Sequence, residues 1–379
     1  MIWGALLIPF LAAFVLWRWY AHHMVWWEYL LPLAVSAMLI GVAGGVAEHS
    51  MVTSTEYWGS AVTKAEYYED WNEYIHRTCS ETCCCDKDGK NCSTRYYDCS
   101  YVQYHSAYWE LQTTTGEELR IDEWQYNRLV KRFGGARFED LHRHYHTNDG
   151  DKYVTTWPQD SATLEPVTTT HTYENRVKAA DQSIFHFRRI AEKERDSLGL
   201  FDYPPIRFRY HQEAVLGDTT REARAANYRL KWWNAVLGPA KEARVSVLVF
   251  HDKPRTTGIQ QEWAWAGGNM NEVVLCIGLD RARRVQWCHP MSWSTDEQLE
   301  AELRQYVEAQ DTVDLVAVAD FLGPLVRRHF VRRDFHQFDY LSIEPPGWAV
   351  VLVYFLTALA CTITGAFAVG NEAVPQMNR

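Results

Sequence analysis

Three long apolar stretches divide the chain, at residues 2–17, 29–47 and 348–369. A helix needs about 17–25 apolar residues to cross the hydrocarbon core of a bilayer. The second and third stretches meet this length without a charge, and the first meets it only if Arg18 reaches the interface and the helix continues to Tyr20. We therefore predict three transmembrane helices: a hairpin over residues 1–47 and a single helix over 347–370.

The polar sequence between these stretches changes its pattern once. Residues 48–180 contain short alternating runs separated by turn residues, which predict a small, mostly β module rich in cysteine. Residues 181–215 form a connecting segment, in which Pro204-Pro205 enforces extended chain. Residues 216–340 alternate helical patterns with apolar strands and predict an α/β module. The fold class is therefore α+β.

The second apolar stretch also contains Gly41-x-x-x-Gly45, a spacing that allows two helix backbones to approach closely. Glycine is also simply common in membrane helices, and we favour this explanation over dimerisation. Packing of this face against the first or the third helix of the same chain fits the spacing as well.

Composition narrows the range of partners. The formal net charge of −10 argues against a nucleic-acid surface, which would need a basic stripe. The 17 tryptophans and 21 tyrosines suit membrane interfaces and packed cores. We expect the lipid bilayer as a partner, together with a membrane protein, and no nucleic acid.

Six cysteines fall within about twenty residues, and this clustering admits two interpretations. An even number of cysteines in a water-soluble region suits disulfides in an oxidising compartment. A zinc site usually shows two C-x-x-C-like pairs, and the spacing C-x3-C-C-C-x6-C-x6-C has none. We favour disulfides and keep zinc as the alternative. The candidates are Cys79, Cys83, Cys84, Cys85, Cys92 and Cys99.

The cysteines also bear on orientation. Arg18 lies in the turn between the first two helices and Arg379 at the C-terminal end, so the positive-inside rule places both in the cytoplasm. The arginines between 327 and 333 oppose this weakly. Disulfides outside the cytoplasm favour an integral membrane protein whose large domain is extracytoplasmic, on the periplasmic or outer face.

Two groups of residues are candidate metal ligands. His142, His144 and His146 alternate, so on a strand they would share one face. Asp252 and Asp280 follow two apolar strands, at the edge where open α/β sheets place ligands. Solvent-exposed histidines and ordinary turn aspartates explain the same residues. The sequence gives no firm indication of a cofactor and leaves a divalent metal open.

The order of elements between residues 216 and 309 resembles the TPM domain. The resemblance is carried by "VSVLVFHDKP" and "WAWAGGNMNEVVLCIGLDRARRVQW", with matching positions at Gly267, Gly268, Asn271, Val273, Val274 and Arg284. It covers about a quarter of the chain. The region before it, with the opening "TEYWGSAVT", looks like that of uncharacterised membrane proteins of bacteria and phages.

The resemblance implies an α/β module tethered beside transmembrane helices in an extracytoplasmic or lumenal compartment. Some TPM domains have acid phosphatase activity or bind divalent cations, and others assist the assembly and repair of membrane complexes. We therefore predict a membrane-anchored extracytoplasmic binding or scaffold protein. The alternatives are a metal-dependent phosphohydrolase of TPM type and a cytoplasm-facing, zinc-binding membrane protein.

Overall fold

The computed structural model describes residues 2–20, 26–83, 92–141, 150–160, 163–180, 187–205 and 213–373. Its mixture of helices and strands confirms the α+β class. After a 3-10 turn at Ile2–Leu6, the α-helices are α1 (Leu7–Tyr20), α2 (Trp26–Val52), α3 (Glu123–Phe133), α4 (Arg176–Ala179), α5 (Glu192–Leu198), α6 (Arg221–Lys241), α7 (Thr256–Ala264), α8 (Gln298–Glu308), α9 (Leu315–His329) and α10 (Gly347–Ala373).

The strands form four separate sheets, described below. In chain order they are β1 (Thr53–Tyr68), β2 (Trp71–Ile75), β3 (Thr78–Cys83), β4 (Ser93–Asp98), β5 (Tyr101–His105), β6 (Tyr108–Thr113), β7 (Glu118–Ile121), β8 (Arg137–Glu139), β9 (Lys152–Thr156), β10 (Pro166–Glu174), β11 (Val215–Leu216), β12 (Arg244–His251), β13 (Glu272–Leu279) and β14 (Val285–Ser292).

Two helices of the described chain are long and apolar enough to cross a membrane, over Leu30–Val52 and Gly347–Phe367. The prediction of three such helices is corrected here. The first apolar stretch gives only the shorter helix Gly4–Trp19. At 1.5 Å per residue, its 16 residues span about 24 Å, less than the hydrocarbon core of about 30 Å.

The apolar helices pack together through small and branched side chains. Ile40 of α2 and Val353 of α10 form a buried cluster with Ala5. Ser36 Oγ and Cys361 Sγ, 3.5 Å apart, join the same two helices. The expected packing of Gly41 and Gly45 is wrong, because a Cβ at either position would meet no described atom within 4 Å. This face of α2 is open.

The β module is built on one long strand, β1, which follows α2 without a break. Its first half pairs with β10, from Thr53 to Ala61, and its second half lies between β6 and β9. The order of this sheet is β7-β6-β1-β9-β8, with β10 on β1. At about 3.3 Å per residue, β1 carries the chain about 50 Å from the end of α2.

A hairpin arm continues from this sheet. Strand β1 pairs with β6 in a register that places Tyr68 opposite Tyr108. The pairs β2–β5 and β3–β4 continue this register, and the last described pair is Cys83 opposite Ser93. The three ladders are therefore one antiparallel hairpin, interrupted twice. We call residues 71–105 the hairpin arm. Cys83 and Cys92 lie at the far end of the described part of this arm.

The α/β module contains a four-stranded sheet in the order β11-β12-β13-β14, parallel except for β14. Apolar side chains from α6, α8 and α9 cover one face. The connecting segment covers the other, where Leu200 and Phe201 pack near Phe250 and Trp287. Burial on both faces explains why β12 and β13 are continuous apolar runs.

Helix α6 ends later than its sequence predicts. A Gly-Pro pair is typical of a helix end, so the sequence predicts that α6 ends at Gly238-Pro239, but the helix includes both residues and ends at Lys241. Gly238 is needed where α6 crosses β1, since a Cβ there would overlap the carbonyl oxygen of Gly59. The glycine therefore serves close packing of a helix on a strand.

The two modules meet along β1. Asn271, which precedes β13, donates from Nδ2 to the Tyr57 carbonyl oxygen at 2.8 Å. This contact uses an edge of β1 that β10 leaves free. The amino ends of β12 and β13 thus face the β module, and their carboxyl ends lie at the opposite edge of the sheet.

Candidate functional site

The carboxyl ends of the parallel strands are the first place to look for a ligand site, because open α/β sheets bind ligands there. The structure places Asp252 directly after β12 and Asp280 directly after β13, as predicted. The backbone N–H of Asp252 donates to the Leu279 carbonyl at 2.9 Å and holds the two strand ends together. Asp218, which sequence reasoning missed, follows β11 at the same edge.

Each of these aspartates is paired with an arginine of the turn 281–284. Arg281 lies 3.1 Å from Asp252, and Arg284 lies 2.9 Å from Asp280. The third pair, Arg283 with the buried Asp218 at 2.6 Å, also extends to Glu222. The edge is therefore balanced in charge by local arginines.

Asp280 shapes this turn. Its carboxylate accepts hydrogen bonds from the N–H groups of Ala282 and Arg284, both at 2.9 Å. The backbone bond from Arg284 is the main reason that the pKa of Asp280 is lowered. This is the turn chemistry expected of an aspartate after a strand.

Asp252 and Asp280, which were predicted as metal ligands, lie at neighbouring strand ends, and each carboxylate is paired with an arginine. Across the ranges given above, no group of three or more His, Cys, Asp or Glu side chains is arranged to hold a metal ion. His142, His144 and His146 lie outside the described residues, so the metal prediction for this row stays a prediction.

A histidine–carboxylate pair lies between α7 and α8. His289 Nε2 is 2.8 Å from Glu262 Oε2, and both side chains are largely buried. Glu300 lies nearby, and its pKa is raised by burial first and then by the charge of Glu262. The sequence alone does not predict this pair, because Glu262 lies on α7 and His289 on β14.

The cysteine cluster contains a disulfide. Cys79 and Cys99 are bonded across the hairpin arm, with Cα atoms 5.7 Å apart, so these two sulfurs are not zinc ligands. Cys92 is disulfide-bonded as well. Cys84 and Cys85 lie outside the described residues, and only the backbone of Cys83 is described. The other described cysteines are buried free thiols, Cys276, Cys288 and Cys361.

The hairpin arm exposes large side chains to solvent. Tyr96 is 71% exposed and Tyr104 62%, and every residue of β4 is exposed. Further exposed side chains on the arm are Tyr74, Tyr97, Tyr101 and Val102. Tyrosine is enriched at protein interfaces because it offers a large, rigid contact surface with a polar end. The arm is the candidate binding surface of the chain.

A buried ion pair lies where β1 meets the segment that returns to α10. Arg332 contacts the carboxylate of Glu56, which is 1% exposed, and lies 3.4 Å from Glu242 at the end of α6. Its guanidinium also lies over the Trp58 ring, 5.3 Å from the centroid. Burial raises the pKa of Glu56, and Arg332 opposes that shift.

A groove of about 300 Å³ opens beside this ion pair, lined in part by Glu174, Met270 and His336. Two arginines line it, but both are engaged: Arg332 as above, and Arg333 through a hydrogen bond from Nε to the Trp293 carbonyl at 3.3 Å. Arg332 therefore joins the two modules, whereas the bond of Arg333 stays within the α/β module.

Comparison of the chain with known proteins finds no matching family model, no matching curated protein and no matching solved structure. The resemblance to the TPM domain therefore stays a prediction.

Proposed function

We propose that this chain is a membrane-anchored extracytoplasmic protein that binds a partner through its hairpin arm and acts as a scaffold, without catalysis. The observation that carries the proposal is the arm itself: a long hairpin, closed by a disulfide, that presents tyrosines to solvent. A cluster of exposed large side chains of this kind is typical of an interaction site.

Membrane anchoring is supported by the two long apolar helices at opposite ends of the large domain. The Cys79–Cys99 disulfide supports an oxidising compartment, because cytosolic thiols are normally kept reduced. Both observations agree with the orientation that the flanking arginines favour.

The side chains at the carboxyl ends of the parallel strands favour a binding role for this chain over metal-dependent hydrolysis. A hydrolytic metal site needs carboxylates free to coordinate the ion. Here Asp218, Asp252 and Asp280 are each paired with an arginine. The TPM-like module is accordingly assigned a structural role, since it covers the free edge of β1.

Two single cysteines test the orientation. Asn127→Cys, on the exposed face of α3, should react with a membrane-impermeant maleimide on intact cells. His23→Cys, in the turn between the first two apolar stretches, should react only after lysis. The reverse pattern would overturn the extracytoplasmic assignment.

Hydrogen–deuterium exchange tests the binding role of the arm. The arm should exchange more slowly in native membranes than in the purified protein in detergent. The ladder between β12 and β13, which lies inside the α/β module, serves as the internal reference. Equal exchange of the arm in both preparations would contradict binding through this surface.

A further inference from the structure

The outer edge of β5 carries no strand in the described part of the chain. Strand β5 pairs with β2 in a sheet of two strands. Strand β7 covers the neighbouring β6, but its pairing ends with Ile121 opposite Trp109 and does not reach β5. The N–H and C=O groups on this edge are therefore available to another strand.

This edge lacks the features that normally prevent edge-to-edge pairing. Natural edge strands are blunted by charged residues, proline or bulges. Strand β5 reads Tyr-Val-Gln-Tyr-His and contains none of these. Val102 is 59% exposed and Tyr101 47%. The strand is accessible and has no Lys, Arg, Asp or Glu; its one titratable side chain besides the tyrosines, His105, contacts Glu73 of β2 at 2.8 Å.

The sequence of β5 is complementary to itself. When a strand pairs antiparallel with its own copy about a twofold axis, one residue can lie opposite itself. If that residue is Gln103, all five residues of β5 are paired. Val102 then faces Tyr104 of the second copy, and Tyr101 faces His105, which are favourable cross-strand combinations.

Charge favours a second copy at this place. The whole chain has a formal net charge of −10, so most of its surface repels another copy. Residues 71–105 contain five acidic and four basic residues, a net charge of −1. Two arms can therefore approach each other with little repulsion.

We propose that β5 pairs with β5 of a second copy of this chain and joins the two hairpin arms in a four-stranded sheet. The pairing rests on the proposed binding role of the arm and names its partner. Confinement of both copies to one membrane raises their effective concentration, so a five-residue contact suffices. Both copies would use the same strand in this interface, as in most symmetric dimers.

A single cysteine tests the register. Directly opposed residues of an antiparallel pair have Cα atoms about 4.5–5.5 Å apart, which suits a disulfide. Gln103→Cys in the full chain, reconstituted in liposomes and treated with a mild oxidant, should give a cross-linked dimer on a non-reducing gel. The matched control is Tyr101→Cys, whose two copies would lie about 13 Å apart and should stay unlinked.

The outcomes are separable. Cross-linking of Gln103→Cys alone supports the pairing. Equal cross-linking of both variants shows random collision, and no cross-linking shows that the copies do not pair here; either result overturns the proposal. The cross-linking experiment uses purified protein, so its result does not depend on the orientation of the chain in the cell. If cross-linking fails while the surface-labelling experiment succeeds, a second copy is rejected as the partner of the arm and the proposed function stands.

A substitution without cysteine gives an independent measurement. Val102→Lys places a charge on the edge and should lower, by about tenfold, the co-purification of two differently tagged copies from one membrane. Tyr96→Lys, on the exposed strand β4 of the same arm, is the control and should leave co-purification unchanged. Equal loss in both variants would contradict pairing through β5.

Discussion

Gly238 of α6 lies directly against the carbonyl oxygen of Gly59 in β1, with no room for a side chain between helix and strand. A Cβ on Gly59 would in turn lie 2.5 Å from the carbonyl oxygen of Asn234. The two glycines thus set the distance between the α/β module and the strand that continues from α2.

Substitution of Gly238 by alanine should push α6 and β1 apart. Forcing a methyl group into a filled contact costs about 1–3 kcal/mol, and here the opposing atoms are backbone and cannot turn away. We expect the free energy of unfolding of Gly238→Ala to fall by at least this amount, measured by chemical denaturation in detergent. Gly135→Ala is the control, because a Cβ there meets nothing within 4 Å, and a similar loss in both would contradict the argument.

Removal of Arg332 should be more damaging than removal of an exposed arginine. Arg332→Met leaves the carboxylate of Glu56 buried without its cation, which typically costs about 3–5 kcal/mol. Arg281→Met, in which the lost arginine side chain is 92% exposed, should cost less than about 1 kcal/mol. Adding Glu56→Gln to Arg332→Met should restore part of the stability, and an unchanged double variant would contradict the ion-pair explanation.

The stability contribution of Glu56 should depend on pH. Burial raises the pKa of this carboxyl above its ordinary value of 4.5, so the folded chain holds the proton more tightly than the unfolded chain. Its contribution is complete below pH 4.5 and is lost as the pH rises through the raised pKa. The stability of the wild type minus that of Glu56→Gln should therefore fall as the pH is raised from below 4.5 through the raised pKa of Glu56. A constant difference over this range would contradict the prediction.

Loss of the Cys79–Cys99 disulfide should loosen the arm and leave the rest of the fold intact. The bond joins two residues with a sequence separation of 20. A loop of this length lowers the entropy of the unfolded chain and so stabilises the folded arm by about 3 kcal/mol. In the double variant Cys79→Ser/Cys99→Ser, limited proteolysis should cut within residues 71–105 much faster than in the wild type. The thermal unfolding of the α/β module should stay unchanged; a matching drop there would show that the arm supports the whole domain.

The α/β module was largely predictable because its signals are local. Strands β12, β13 and β14 were each predicted from an apolar run, and the structure confirms them. The end of α6 was predicted wrongly, since Gly238 has its role through Gly59, far away in the chain. No local pattern can report such a contact.

The site was less predictable than the fold. The strand-end positions of Asp252 and Asp280 follow from sequence, but their pairing with Arg281 and Arg284 depends on a turn in which Arg283 adopts a φ of 62°. The common register of the hairpin arm is a long-range property of paired strands. The short alternating runs in this region predict strands, but they do not show which strands pair or in what register.

The continuity of α2 with β1 determines how the protein would carry mechanical load. A pull on α2 along the strand axis would load the hydrogen bonds between β1 and β10 together, in shear, whereas a sideways pull would open them one after another. The first geometry resists a larger force because many bonds must break at once. Because β1 runs from α2 to the hairpin arm as one strand, tension between the arm and α2 would pass along its covalent backbone, and the paired strands would keep that path straight.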